Sequence, residues 1–330
     1  MSNNYQALWV TKSDDGEFQT QITERNTGDL PGGDVLVRVA YSSLNFKDML
    51  STQGHPGVTR NFPHQPGIDA AGVVEECGNA QFRPGDEVIV TGYDLGMGTA
   101  GGLGQYIRVP AEWVIPMPPG LSAREAMSYG TAGFTSALCL DKLIQMGAAP
   151  GDGLVAVTGA TGGVGVFAIS LLAKLGFQVA AATGKPETAD MLRSLGACEV
   201  FPRQELADSK APLGAPRFAH AVDALGGEYL ANLLTVIDYG GSVACCGLAA
   251  SPGLPATVMP FIIRDVNLLG VDSVEQPWAR KQATWKKLGT EWKLENLDDL
   301  VEEISLEQVP ESLEKLKQGT VVGRYLVNLQ

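Results

Sequence analysis

Residues 154–173 read LVAVTGATGGVGVFAISLLA. A short β-branched run enters a knot of glycines, and an apolar, helix-compatible segment leaves it. Gly159, Gly162 and Gly165 are spaced G-x-x-G-x-x-G, directly after the strand signal and opening the helix signal. Glycines at this spacing allow a tight turn, a close approach of backbone to a pyrophosphate, and free N–H groups at a helix start with the dipole behind them. Taken alone the motif also fits a glycine-rich turn between any strand and helix, so its meaning depends on what surrounds it.

Outward from this turn, strand and helix signals alternate. FQVAAATG is followed by a helix opening at Pro186, then by CEVFPR, FAHAVDAL, a helix from about Gly226, GSVACCGL and finally NLLGVDS. Strands interleaved with helices imply parallel crossover units and an α/β, doubly wound sheet. The first third of the chain has a different texture. YQALWV, DVLVRVAYSS, AAGVVEE, DEVIVTG and GQYIRVPA are short apolar or alternating runs between Gly, Pro and Asp clusters, which predicts a β-rich domain. From Ser122 a helix is predicted, with Ser122 as N-cap and Glu125 completing a capping box, running on through SYGTAGFTSALC. QPWARKQATWKKLGTEW and VVGRYLVNL read as a return to the first domain. The expected division is 1–125 with 268–330, and 126–267.

Composition narrows the function. The formal charge of −13 over 330 residues argues against a nucleic-acid or anionic-membrane surface. No apolar run approaches the roughly 20 residues of a membrane helix. Five cysteines form no C-x-x-C pair, and the N-terminal MSNNYQALWV lacks a targeting pattern, so a reducing cytoplasm is expected.

The second strand selects the nucleotide. An NAD site usually places Asp or Glu about 20 residues beyond the glycines, on the ribose 2′-hydroxyl. Here the strand ends AAATGKPET, without an acid at its tip and with Lys185 just beyond; Arg203 follows the third strand. A 2′-phosphate is drawn by cations and repelled by acids, so NADPH is the expected cofactor. Either cation alone also fits a solvated surface residue.

The order of parts resembles the medium-chain dehydrogenase/reductase superfamily. Many of its members hold a catalytic zinc partly through a Gly-His-Glu segment; here Gly67 is followed by Ile68 and Asp69, and SSLNFKDML carries no cysteine. His55 and His64 lie near each other with nothing to complete a metal shell, so no metal is expected. SSLNFKD, RNFPHQPGIDAAG, GTAGFTSALC, TGATGGVG, DYGGSVACCGLA, TVMPFIIRDVNLLGVDS and GRYLV together resemble the zinc-free acrylyl-CoA reductase and quinone oxidoreductase-like group. The resemblance implies a Rossmann NADPH-binding domain beside a GroES-like catalytic domain, with the cofactor in the cleft and a homodimeric assembly. It implies Thr161, Gly162, Gly163 and Val164 at the pyrophosphate, and Thr183, Gly184, Lys185 and Arg203 at the adenosine phosphate end. Leu248 would lie by the nicotinamide ribose, with Phe46, Ile262, Ser273 and Arg324 near the cofactor or cleft. Relatives often carry Tyr where Phe46 stands, so a hydroxyl is missing there.

The implied reaction is hydride addition to the β-carbon of an acyl-CoA thioester conjugated to an alkene, giving an enolate that is then protonated. Its needs are orientation of the reactants and hydrogen bonds to the thioester oxygen as charge develops. Asn45, Lys47 and Asp48 share the NFKD turn; Asn45 is the candidate donor to the oxyanion and Asp48 a candidate to orient neighbours or relay a proton. Asn and Asp also commonly tie loops through side-chain to backbone bonds. Tyr93 is an alternative donor. A quinone reductase, or an NADPH-binding protein with little turnover, would need the same cofactor motifs.

Overall fold

A computed structural model describes residues 2–207 and 212–330, in two compact units: residues up to 131 with 274–330, and residues 132–273. The first unit opens with β1 (Asn4–Lys12) and β2 (Phe18–Asn26), an antiparallel pair. Next come β3 (Val35–Ser43), α1 (Phe46–Thr52), β4 (Asp69–Cys77), β5 (Glu87–Thr91), β6 (Tyr106–Val109) and β7 (Val114–Pro116). Helix α2 (Ala123–Gln145) leads into the second unit. There the chain forms β8 (Leu154–Val157), α3 (Gly163–Lys174), β9 (Gln178–Thr183), α4 (Ala189–Ser194), β10 (Ala197–Pro202) and α5 (Gln204–Ala207). It continues through β11 (Phe218–Asp223), α6 (Gly227–Thr235), β12 (Ile237–Cys245), α7 (Met259–Arg264) and β13 (Asn267–Gly270). Back in the first unit lie α8 (Trp278–Gly289), β14 (Val301–Ser305), α9 (Val309–Lys317) and β15 (Arg324–Asn328).

The second unit's sheet has the order β10-β9-β8-β11-β12-β13, and every pairing in it is parallel. Counted from β8 as strand 1, this is 3-2-1-4-5-6, the doubly wound order of dinucleotide-binding folds. The sequence accounts for it. Strands covered on both faces need continuous apolar runs, and Val179 to Ala182 of β9 are all fully buried. Helix α3 is buried along most of its length, from Gly165 to Leu172, which is why its sequence is apolar on every face.

The first unit's large sheet runs β14-β15-β3-β4-β5-β7, with β6 paired to β3. Its core gathers Val35, Val37, Val74, Val90, Ile107 and Val327. β15 lies antiparallel to β3, which brings the C-terminal segment beside the strand that leads into α1.

Helix α2 has the predicted capping box: Ser122 N–H donates to Glu125 Oε2 at 2.8 Å and Glu125 N–H to Ser122 Oγ at 3.2 Å. Its expected continuity is corrected. Gly130 has φ 47° and ψ −156°, a break inside the helix. A Cβ there would lie 2.2 Å from Arg324 Nη2, 2.5 Å from Ser43 Oγ and 2.7 Å from Asp69 Oδ2. Only glycine has both the conformation and the room. The two units divide one residue later, after 131, and again after 273.

Candidate active site

The glycine turn sits at the carboxyl end of β8. Gly162 caps α3, and its N–H donates to the Gly159 carbonyl at 2.9 Å. A Cβ at Gly165 would come within 2.3 Å of that same carbonyl, so the third glycine permits the helix to press against the turn. Thr161, Gly162, Gly163 and Val164 thus occupy the turn and the first residues of α3. Ser136 Oγ donates to the Val164 carbonyl at 2.8 Å, fastening the second half of α2 to this segment.

At the tip of the neighbouring strand, Thr183 Oγ1 accepts from the Lys185 N–H at 2.9 Å, and the Thr183 carbonyl from the Arg203 N–H at 2.8 Å. A Cβ on Gly184 would meet the Arg203 guanidinium at 2.6 Å. Two cations therefore flank a bare backbone with no acid at the strand tip. Burial lowers the Lys185 pKa; the charge of Glu187, two residues on, acts against this, and the Arg203 charge lowers it a little further. The donor set fits a dinucleotide carrying a 2′-phosphate. Leu248, beyond the end of β12, and Ile262, in α7, are 57% and 74% exposed; Ser273 is half-buried at the end of the second unit.

Polar residues of the first unit converge on Asp69, the opening residue of β4, which is fully buried. Its Oδ2 accepts from Arg324 Nη2 at 2.8 Å, Ser43 Oγ at 2.7 Å, Asn45 Nδ2 at 2.8 Å and the Thr131 N–H at 2.9 Å; Oδ1 accepts from Thr131 Oγ1 at 2.5 Å. Arg324 also donates through Nη1 to Asn45 Oδ1 at 3.1 Å and through Nη2 to Ser43 Oγ. Arg324 and Asn45, singled out in the sequence, are brought together here. Ser43, Thr131 and Gly130 were not singled out, and the signal was faint: small polar residues beside a glycine in otherwise apolar runs.

Both amide hydrogens of Asn45 are engaged, one with Asp69 and one with the Ser43 carbonyl at 3.3 Å. Asp48 is wholly buried at the start of α1. Its Oδ2 accepts from the Asn45 N–H at 2.7 Å and its Oδ1 from the Ile68 N–H at 2.9 Å, so it ties α1 to the segment before β4. Phe46, the first residue of α1, is 47% exposed and Lys47 half-buried. Tyr93 has φ 51° and donates through its hydroxyl to the Gln276 carbonyl at 3.0 Å.

Burial, then the charge of Asp69, raise the Asp48 pKa from 3.8 to about 7. The unfolded chain releases this proton first. Between those two values the folded state binds more protons than the unfolded, so this group's contribution to stability falls as pH rises through the window. A carbon-13 titration of the Asp48 carboxyl is expected to show a midpoint near 7; a midpoint below 4 would contradict it.

Of the second unit's four cysteines, Cys139, Cys245 and Cys246 bear on one another. Cys139 in α2 is fully buried, and its hydrogen bond with Cys246, then burial, raise its pKa well above the ordinary thiol value. Burial, then the charge of Asp223, push Cys245 up to about 11.

Residues 31–119 match the family described as Alcohol dehydrogenase GroES-like domain, and residues 163–304 the one described as Zinc-binding dehydrogenase. Zinc does not fit the residues present. Asp69 is saturated by donors and paired with Arg324, His64 is buried with Nε2 3.0 Å from the Gly96 carbonyl, and no group of three or more His, Cys, Asp or Glu among the described residues could hold a metal. The chain is 44% identical to the acrylyl-CoA reductase AcuI of Ruegeria pomeroyi over 98% of its own length and 99% of the relative's. It is 45% identical, end to end, to YhfP of Bacillus subtilis, whose name assigns it provisionally to the quinone oxidoreductases. The YhfP structure, with NAD bound, matches at TM-score 0.96 over 99% of this chain and all of that one. The yhdH oxidoreductase of Salmonella enterica, in complex with NADP, matches at TM-score 0.96 and 43% identity over 98% of this chain and all of that one. With a doubly wound nucleotide unit, a GroES-like unit and full-length kinship of this degree, the chain belongs to the medium-chain dehydrogenase/reductase superfamily, in the group that contains AcuI and YhfP.

Proposed function

We propose that the protein is an NADPH-dependent acrylyl-CoA reductase that forms propionyl-CoA without a metal. The observation that carries this reading is the full-length 44% identity to an acrylyl-CoA reductase. The acid-free tip of β9, with Lys185 and Arg203 beside it, supports NADPH as the cofactor. Bound NADPH supplies a hydride, delivered to the β-carbon of the conjugated thioester.

The chain's own residues bind and orient. Thr161, Gly163 and Val164 would receive the pyrophosphate on backbone N–H groups, while Gly162, whose own N–H closes the turn on the Gly159 carbonyl, leaves the approach bare. Thr183, Gly184, Lys185 and Arg203 would receive the 2′-phosphate; Leu248, Ile262 and Ser273 would shape the nicotinamide end. The Asp69 cluster anchors Arg324 and Asn45, so that only a small adjustment is needed as enolate charge develops. Asn45 meets the thioester oxygen by redirecting the longer of its two bonds, the one to the Ser43 carbonyl. Asp48 acts through Asn45 as a positioning residue, and Phe46 offers an apolar surface. The protein works in the cytoplasm as a homodimer; the homodimer is supported by the edge position of β13 and the exposed Val258 of the same unit.

NADPH consumption with acrylyl-CoA, crotonyl-CoA and a quinone tests this. Acrylyl-CoA is expected to give the highest kcat/KM, roughly tenfold or more above crotonyl-CoA, because one added carbon in a close-fitting pocket changes transition-state binding by that order. Deuterated NADPH should place its label at the β-carbon of propionyl-CoA. Efficient quinone turnover without acrylyl-CoA activity would establish the quinone reading that the name of YhfP carries.

A further inference from the structure

Dinucleotides bind outside the carboxyl ends of a doubly wound sheet, at the point where the strand order reverses. In this sheet that point lies between β8 and β11. A fully buried carboxylate stands at it: Asp223, the last residue of β11. Its Oδ1 accepts at 2.6 Å from the hydroxyl of Thr158, which stands between the end of β8 and Gly159, and its Oδ2 accepts at 2.8 Å from the Gly226 N–H. Thr158 Oγ1 accepts in turn from the Ala224 N–H at 3.1 Å. The Asp223 carbonyl accepts from the Cys246 N–H at 2.9 Å, and the Ala224 carbonyl from the Ala249 N–H at 3.3 Å. One residue thus links the turns that follow β8, β11 and β12.

The surrounding backbone leaves little slack. A Cβ on Gly247 would lie 2.3 Å from the Ala224 carbonyl, and one on Gly226 2.4 Å from the Ser251 carbonyl. A carboxylate suits this place because each contact is a donor pointing inward; an amide would turn N–H against one of them. We propose that Asp223, acting through Thr158, is a positioning residue for the nucleotide, holding the glycine turn and the β12 turn in the spacing that NADPH spans. The inference rests on the NADPH reading above, and the experiment separates the two.

NADPH affinity is measured by nucleotide fluorescence on the full chain, with steady-state kinetics alongside. Failure of the unaltered protein to bind NADPH would overturn the cofactor reading itself. Given binding, D223N and T158V are expected to weaken NADPH affinity by about tenfold, the order of one misplaced buried hydrogen bond. Their kcat at saturating NADPH should stay within about twofold of the unaltered value, because bound nucleotide restores the turn. T158S keeps the hydroxyl and should bind as the unaltered protein does. Unchanged affinity in D223N or T158V, T158S as weak as T158V, or a kcat that falls in step with affinity would each overturn the proposal. If D223N does not fold, T158V decides; failure of both to fold would overturn it in favour of a role in folding.

Discussion

Replacing Arg324 with Met should destabilise the protein by roughly 3–5 kcal/mol, the range for a buried ion pair that loses one partner. Arg324 is 4% exposed and Asp69 is fully buried, so neither has water to fall back on. The methionine fills most of the volume but leaves the Asp69 carboxylate with its hydroxyl and amide donors and no countercharge. Asn45 loses the donor to its Oδ1 at the same time. Urea denaturation measures the loss. The double variant D69N/R324M removes both charges and should recover part of it, giving a coupling energy that isolates the pair. A single variant within about 1 kcal/mol of the unaltered protein would mean that the cluster is far more hydrated than its burial indicates.

The second large effect concerns cofactor choice. K185A/R203A should raise the KM for NADPH by roughly 30-fold to 150-fold, equivalent to about 2–3 kcal/mol. Two charge-assisted hydrogen bonds could supply more, but both side chains are partly solvated, so the lower part of their range applies. The KM for NADH should change by less than about threefold, since its ribose carries no phosphate. NAD bound to YhfP, a relative of nearly the same similarity, makes the comparison informative. Equal use of NADH and NADPH by the unaltered protein would reject the assignment, as would a variant that loses both equally.

The nucleotide unit was legible because its signals are local. Glycine spacing, β-branched runs and the polar tip of β9 are contiguous in sequence, and α3 begins at Gly163, one residue past the glycine expected to open it. β2 was not legible. FQTQITERN has almost no apolar face, and its strand is defined by pairing to β1 along nine residues rather than by burial. The break at Gly130 was hidden for another reason: its cause is Arg324, nearly 200 residues later in the chain, placed by the pairing of β15 with β3. The Asp69 cluster shares that difficulty. Asp69 could be read as the residue standing where a metal-binding segment would be, but its five hydrogen bonds come from three widely separated stretches of chain. Asp223 and Thr158 lie 65 residues apart in the chain, and only the strand order sets them side by side.

The thiols of the second unit acquire a different significance if the substrate is an acrylyl thioester. Such a compound is itself an alkylating agent, able to add a cysteine thiolate at the same β-carbon that takes the hydride. The thiolate, not the thiol, makes that attack. With its pKa at about 11, Cys245 is ionised in only about one molecule in ten thousand at pH 7, against a few per cent for an unperturbed thiol. Cys139 combines a raised pKa with complete burial. The same packing that builds the sheet therefore shields two of its sulfurs from suicide inactivation by the substrate.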